Sequence, residues 1–270
     1  MKSGQERFLP LVVLLTGLGY VSYFLSKAIF VALGVPLFLL MTPWPRARQR
    51  MFQSVLHHFL GFFTRVWLPL FRVYHIVEIS GREKIESSRP AVIVANHRGF
   101  MDSIILLGLS PRTGALIKSN HARQPMYHLL VRYFDLVSVN RHSFDSLAAT
   151  LERCGRILGA GKNLAVFPAG TRARSGRLQP FNRLAFDLAL AANVPVLPMI
   201  IHSTEPFMGK VPGSVFPRRK NFYRIRFLDP EPPRAGEGAA QFSDRVHQRM
   251  AQELRQLDTG TNWEIQPPKP

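Results

Sequence analysis

Within Ala91-Val-Ile-Val-Ala-Asn-His-Arg-Gly-Phe-Met-Asp102 a histidine and an aspartate stand five positions apart. On one continuous helix His97 and Asp102 would diverge by about 140°, at ~100° per residue. With His97 on a loop and Asp102 in the first turn of the following helix, the carboxylate reaches an imidazole nitrogen. Such a pair is the base half of a triad: the acid fixes the tautomer and stabilises imidazolium, while the histidine takes a proton. The chain has no G-x-S-x-G elbow, and no serine or cysteine stands as an obvious nucleophile. The hydroxyl to be activated then belongs to a substrate. The plainer alternative is that His97 caps the helix and Asp102 complements its dipole.

A second stretch, Leu164-Ala-Val-Phe-Pro-Ala-Gly-Thr-Arg-Ala-Arg-Ser-Gly176, reads as a strand ending in Pro168-Ala-Gly170, with Thr171, Arg172, Arg174 and Arg177 behind it. Free backbone N–H groups and guanidinium groups make a phosphate cradle, although the spacing is not that of a Walker loop. Taken alone it reads more often as an exposed basic loop. Lys118 and Arg141 follow two further apolar runs. All four features fall at the carboxyl ends of predicted strands, where open α/β sheets place their ligands.

Strands are predicted over Val73–Ile79, Pro90–Ala95, Gly114–Ile117, Leu136–Val139, Asn163–Phe167, Val194–Ile201 and Phe222–Phe227, and helices near 99–109, 125–134, 143–160, 181–192 and 241–257. The alternation predicts an α/β fold, a mixed sheet flanked by helices. Phe242, Val246, Met250 and Leu254 recur every fourth residue, one apolar stripe for the core. Residues 229–240 read as a Pro/Gly/Glu linker, and the chain after Trp263 as a frayed tail.

The chain has 270 residues, a formal net charge of +18, 46% hydrophobic and 19% charged residues, and one cysteine, Cys154. This composition excludes a disordered tail, a disulfide scaffold and a Cys-based zinc ribbon. The charge calls for a polyanionic partner. Aromatic residues concentrate in the apolar N-terminal third, with no basic–aromatic stacking strip, which argues against nucleic acid. Phe8 to Leu25 carries no charge and would reach about 27 Å as a helix, and Ala28 to Met41 continues the apolar run past Lys27. No small-x-small cleavage site precedes Pro36, which argues against a cleaved leader. Lys2 and Arg7 before this stretch, and Arg46, Arg48 and Arg50 after it, favour a hairpin turning near Ser26-Lys27 over a single span, both ends cytoplasmic. Residues 51–75 read equally as a buried helix or an interfacial one, and His57 and His58, being adjacent, make a poor metal pair. The expected division is a membrane segment at 1–45, an amphipathic helix and lead-in strand at 46–79, an α/β domain at 80–258 and a tail at 259–270. The basic cluster Lys210, Arg218, Arg219 and Lys220 is expected to touch anionic lipid.

Asn96-His97-x4-Asp102 resembles the first block of the glycerolipid (lysophospholipid) acyltransferases. Val139-Asn-Arg141 resembles their second block, Phe167-Pro-Ala-Gly-Thr-Arg172 the third and Val194-Pro-Val-Leu-Pro198 the fourth, in order over residues 91–201. The resemblance implies a membrane-bound enzyme, without metal or cofactor, that moves a fatty acyl chain from acyl-CoA or acyl carrier protein to a lysophospholipid hydroxyl, at the cytoplasmic side of a bacterial inner membrane. It implies His97 as general base and Asp102 as its partner, with Asn96, Arg141, Phe167, Pro168, Gly170, Thr171 and Arg172 in substrate binding, to which Lys118 is added from its place at a strand end. Arg141 and the Gly170-Thr171-Arg172 turn would hold the acceptor's anionic group. In the third block Ala169 stands where the family usually has Glu. That departure admits another acceptor, an aminolipid or glycolipid hydroxyl, or a lipid-binding homologue without catalysis.

Overall fold

The computed structural model describes residues 9–29, 45–71, 74–110, 112–119, 134–139, 144–173, 178–204 and 221–260, with isolated positions between 32 and 40. The described elements are α1 (Leu9–Ile29), α2 (Pro45–Phe62), a π-helical turn (Phe63–Trp67), α3 (Leu68–Leu70), β1 (Tyr74–Ser80), α4 (Lys84–Ser87), β2 (Val92–Ala95), α5 (Met101–Leu109), β3 (Thr113–Lys118), β4 (Leu136–Val139), α6 (Phe144–Gly159), β5 (Asn163–Val166), α7 (Leu184–Ala192), β6 (Val196–Ser203), β7 (Asn221–Phe227) and α8 (Ala239–Gly260).

The strands form one seven-stranded sheet in the order β1-β7-β6-β2-β5-β3-β4. All neighbours are parallel except β6 and β7, so the sheet is mixed as expected. The carboxyl ends of β2, β3, β4, β5 and β6 therefore share one edge. The sheet is covered on both faces, which is why β2, β5 and β6 read as unbroken apolar runs. Side chains of successive residues alternate between two cores. Ile93, Ala95, Leu197, Met199 and Ile201 face a core with Phe52, Leu56, Phe63, Ile105 and Leu106. Val92, Val94, Val196 and Ile200 face the other, with Phe186, Phe242, Val246, Met250 and Leu254. The four-residue stripe of α8 is thus buried as its spacing predicts. The helix expected near 125–134 lies, but for Phe134, outside the described residues.

The N-terminal region departs from expectation. Among the described residues no helix is long and apolar enough to cross a membrane. Helix α1 also runs through Ser26 and Lys27 to Ile29 instead of turning there. The Ser26 hydroxyl donates to the Tyr23 carbonyl at 2.9 Å, which satisfies this polar side chain inside the helix. One side of α1 lies on the domain: Thr16 is buried, the Trp67 indole N–H donates to Ser22 Oγ at 3.0 Å, and Tyr23 meets Phe63 with ring centroids 5.0 Å apart. The other side leaves Leu14, Leu18, Val21 and Leu25 about half exposed or more. Most of the second apolar segment, to Met41, lies outside the described residues. Over α2, the π-helical turn and α3, one apolar face is buried and another is exposed. Phe52, Leu56 and Phe63 are buried, while Met51, Val55, Phe62, Val66 and Leu70 are exposed.

Candidate active site

β2 ends at Ala95, and the next three residues make the connection to α5 that carries the histidine. Asn96 fastens its start: its amide donates to the Ile201 carbonyl at 2.9 Å, and its carbonyl accepts from Ile201 N–H at 2.7 Å. Asn96 is buried and spans from β2 to β6 like one more rung of the ladder. Its side chain serves the sheet, where substrate binding was expected.

His97 follows on the loop and Asp102 lies in the first turn of α5, as the spacing requires. His97 Nδ1 is 2.9 Å from Asp102 Oδ2. The same oxygen accepts from Arg98 N–H at 2.6 Å and Gly99 N–H at 2.8 Å. The carboxylate thus does the capping itself and satisfies helix-entry donors while it aims the imidazole. Asp102 is completely buried and the His97 side chain is 18% exposed. With Nδ1–H given to the acid, Nε2 is left as the basic nitrogen. Asp102 Oδ1 is buried without a hydrogen-bond partner among the described residues.

The loop after β5 approaches from the neighbouring strand. Phe167 stacks on the His97 ring, centroids 4.3 Å apart and planes 28° apart. Ala173 N–H donates to the His97 carbonyl at 2.8 Å and ties the two loops together. Gly170 N–H closes a turn onto the Phe167 carbonyl at 2.9 Å, with a φ of 65° that only glycine adopts freely. Pro168 is buried, and its carbonyl accepts from Asn182 N–H at 3.1 Å. Thr171 and Arg172 are half-buried beyond the turn. Arg98 donates to the Ser203 carbonyl at 3.1 Å. A small pocket beside His97 is walled by Arg98, Ala169, Ala173, Leu178, Phe181 and Leu254.

Residues 76–202 match the family model described as Acyltransferase. Over that stretch, a little under half of its length, the chain carries an acyltransferase-family domain. A chloroplastic 1-acyl-sn-glycerol-3-phosphate acyltransferase of Brassica napus is 30% identical over 154 residues, 56% of this chain and 44% of that one. Its Arabidopsis thaliana counterpart is 29% identical over 182 residues, 67% and 48% of the two chains. The bacterial enzyme of that name from Borreliella burgdorferi is 27% identical over 133 residues, 49% and 53%. The chain therefore spans about half the length of these curated relatives. The crystal structure of the 1-acyl-sn-glycerophosphate acyltransferase PlsC from Thermotoga maritima has the same fold, with a TM-score of 0.69 at 20% identity, over 94% of this chain and 98% of that one.

Within the acyltransferase domain, the expected residues separate into those the fold gathers and those it does not. His97, Phe167, Pro168, Gly170, Thr171 and Arg172 lie on two adjoining loops at the carboxyl edge, with Asp102 in the first turn of α5 beside them. Lys118 is exposed at the end of β3, two strands from β2 in sheet order. Arg141, with Arg174, Arg177 and the Lys210 to Lys220 cluster, lies outside the described residues. Sequence reasoning missed the tether from Arg98 and the clamp on His97 by Phe167 and Ala173. A phenylalanine closing a strand reads as core, and nothing local shows that it faces an imidazole.

Proposed function

We propose that the chain moves a fatty acyl group from an acyl thioester, acyl-CoA or acyl carrier protein, to the hydroxyl of a lysophospholipid. The observation that carries this reading is the His97–Asp102 pair at 2.9 Å on the carboxyl edge of the sheet, within a domain of the acyltransferase family. His97 Nε2 takes the proton of the acceptor hydroxyl as its oxygen attacks the thioester carbonyl, and buried Asp102 stabilises the imidazolium. The tetrahedral oxyanion then collapses, the C–S bond breaks, and the imidazolium returns its proton to the leaving thiolate. Arg141 and the Gly170-Thr171-Arg172 turn hold the acceptor's phosphate. Relatives carrying the name 1-acyl-sn-glycerol-3-phosphate acyltransferase support an acceptor of the lysophosphatidic acid kind. The reaction needs no metal or cofactor.

The exposed apolar faces of α1 and α2 support a chain that lies in one leaflet, with the edge bearing His97 supplied from the bilayer. On this reading residues 1–79 are the membrane-associated part, 80–258 the catalytic domain on the cytoplasmic side of a bacterial inner membrane, and 259–270 a tail. Ala169 favours a second reading, in which the acceptor is an aminolipid or glycolipid. With methyl in place of carboxylate, the pocket wall beside His97 lacks an acidic group at this position, and Arg98 and Gln179 are among its polar members.

Transfer of a labelled acyl group from acyl-CoA and acyl carrier protein to a panel of lysolipids tests both readings. His97→Ala is expected to lose about 10²- to 10⁴-fold in turnover with acceptor binding kept. Ala169→Glu is expected to change acceptor preference more than donor preference. Parental turnover by His97→Ala would overturn the mechanism, and an unchanged acceptor profile would overturn the role given to Ala169.

A further inference from the structure

The loop that carries His97 also carries a cation with no part in the proton transfer. Arg98 follows the base directly and lines the same pocket. Its backbone and its side chain are both fixed. The N–H donates to Asp102 Oδ2 at 2.6 Å, and the guanidinium donates to the Ser203 carbonyl at 3.1 Å. Asn96, on the other side of His97, bonds to Ile201. Two side chains flanking the base therefore pin the loop to β6, and the guanidinium is held at the carboxyl edge.

Its partner there is a carbonyl and not a carboxylate. A guanidinium has several N–H donors, and one bond to a neutral oxygen leaves most of them, and the whole charge, for another group. Asp102, the nearest acid along the chain, is turned to His97 and to the N–H groups of Arg98 and Gly99. Asp258 of α8 is taken by His202 at 2.8 Å. No acidic side chain lines the pocket among the described residues. Its other walls are Ala169, Leu178, Phe181 and Leu254, with Gln179 as a neutral polar member. Arg98 is half-buried, so water screens its charge only in part. The planar fork matches a phosphate or a carboxylate, whereas an amine entering the pocket meets like charge.

The positions of the two residues say which substrate brings the anion. His97 and Arg98 are consecutive, about 3.8 Å apart at Cα, so a hydroxyl at one and an anion at the other suit a single small headgroup. In a glycerophosphate the two groups are a few bonds apart. In an acyl-carrier thioester the phosphate lies at the far end of the pantetheine arm from the reacting carbonyl. We propose that Arg98 is a specificity-determining residue that holds the acidic headgroup of the acceptor beside the base and turns away amine-bearing acceptors. The assignment rests on the acyl-transfer reading of His97, and within it decides for an acidic acceptor over an aminolipid.

The full chain in mixed micelles is offered lysophosphatidic acid, the neutral monoacylglycerol or the amine sphingosine, and both equilibrium binding and transfer from acyl-CoA are measured. The parent is expected to prefer lysophosphatidic acid. Arg98→Gln is expected to lower its preference over monoacylglycerol about ten- to a hundredfold, in Kd and in kcat/KM alike, with the KM for acyl-CoA nearly unchanged. Arg98→Lys keeps the charge and is expected to lose less. Arg234→Gln removes the same charge from an exposed position elsewhere and is expected to keep the preference. A loss shared equally by all acceptors would make Arg98 a brace for the loop and overturn the assignment. Equal losses in Arg98→Gln and Arg98→Lys, a change confined to the KM for acyl-CoA, or a parent that prefers sphingosine would overturn it too. A parent that binds lysophosphatidic acid through Arg98 yet transfers nothing would support the anion site and overturn the acyl-transfer reading instead.

Discussion

At the scale of single residues, the site depends on how tightly one imidazole is held. Asp102 fixes its Nδ1 edge, Phe167 covers a face and Ala173 holds its backbone. The resemblance implied Phe167 as a substrate contact, while the stack at 4.3 Å makes it a wall for the base. Phe167→Leu keeps an apolar side chain but loses the flat surface. It is expected to lower kcat by about ten- to a hundredfold, the range for a small misplacement of a reacting group, with KM for the acceptor nearly unchanged. Phe167→Tyr should stay close to the parent. Steady-state kinetics of the two variants check this, and a loss confined to KM would return Phe167 to substrate binding. The same residue shows where sequence reading stops. The strand Asn163–Val166 is legible from its apolar run, but which ring lies across the loop depends on β5 pairing with β2, a contact between residues some seventy positions apart.

At the scale of elements, α5 links α2 to the chemistry. Its first turn carries Asp102, and its last turn lies against α2 where Gly108 meets the backbone of Leu60 and Gly61. A Cβ at position 108 would stand 3.2 Å from the Leu60 carbonyl carbon and 3.3 Å from Gly61 N. Backbone on both sides leaves little room to yield. Gly108→Ala is therefore expected to cost about 1–3 kcal/mol, read as a lower Tm. Gly155→Ala, at an exposed position of α6, meets nothing within 4 Å and removes a helix glycine, so it is expected to raise stability by about 0.5–1 kcal/mol. Thermal unfolding of the pair checks both signs. The helix periods here were readable from sequence. The close crossing was not, because a glycine within an apolar run carries no mark of its partner.

At the scale of the whole molecule, charge and burial set the response to acid. The chain carries +18 at neutral pH, so every proton taken up adds to self-repulsion. Two imidazoles from different elements are held below their ordinary pKa, both chiefly by burial: His57 on α2 and His202 at the end of β6. His202 Nε2–H donates to Asp258 Oδ1 at 2.8 Å, tying β6 to α8. The folded state binds these protons less readily than the unfolded chain. Their stabilisation is complete above the unfolded value of about 6.5 and is lost as pH falls through the lower folded values. A further loss is expected under more acid conditions, below the ordinary carboxylate range. There Glu237, lowered mainly by its bond to Arg245, and Asp229, lowered mainly by Lys84, take up protons. Tm measured against pH is expected to fall in two stages. His57→Gln/His202→Gln should be less stable at pH 8 yet flatter through the first stage, and an equally steep first stage would overturn the assignment.

What the sequence settled by itself is local. The strand–helix alternation, the four-residue stripe of α8 and the five-residue spacing of His97 and Asp102 are all properties of neighbouring positions. Each follows from the repeat of a helix or strand, or from the reach of one side chain. The tertiary structure alone decided what depends on distant parts of the chain. Asn96 became a rung to Ile201, Phe167 a wall for the imidazole, and α1 a helix with one side on the domain and the other open. An apolar run states that a segment must leave water. Whether protein or lipid covers each face is fixed only when the sheet and its helices take their places.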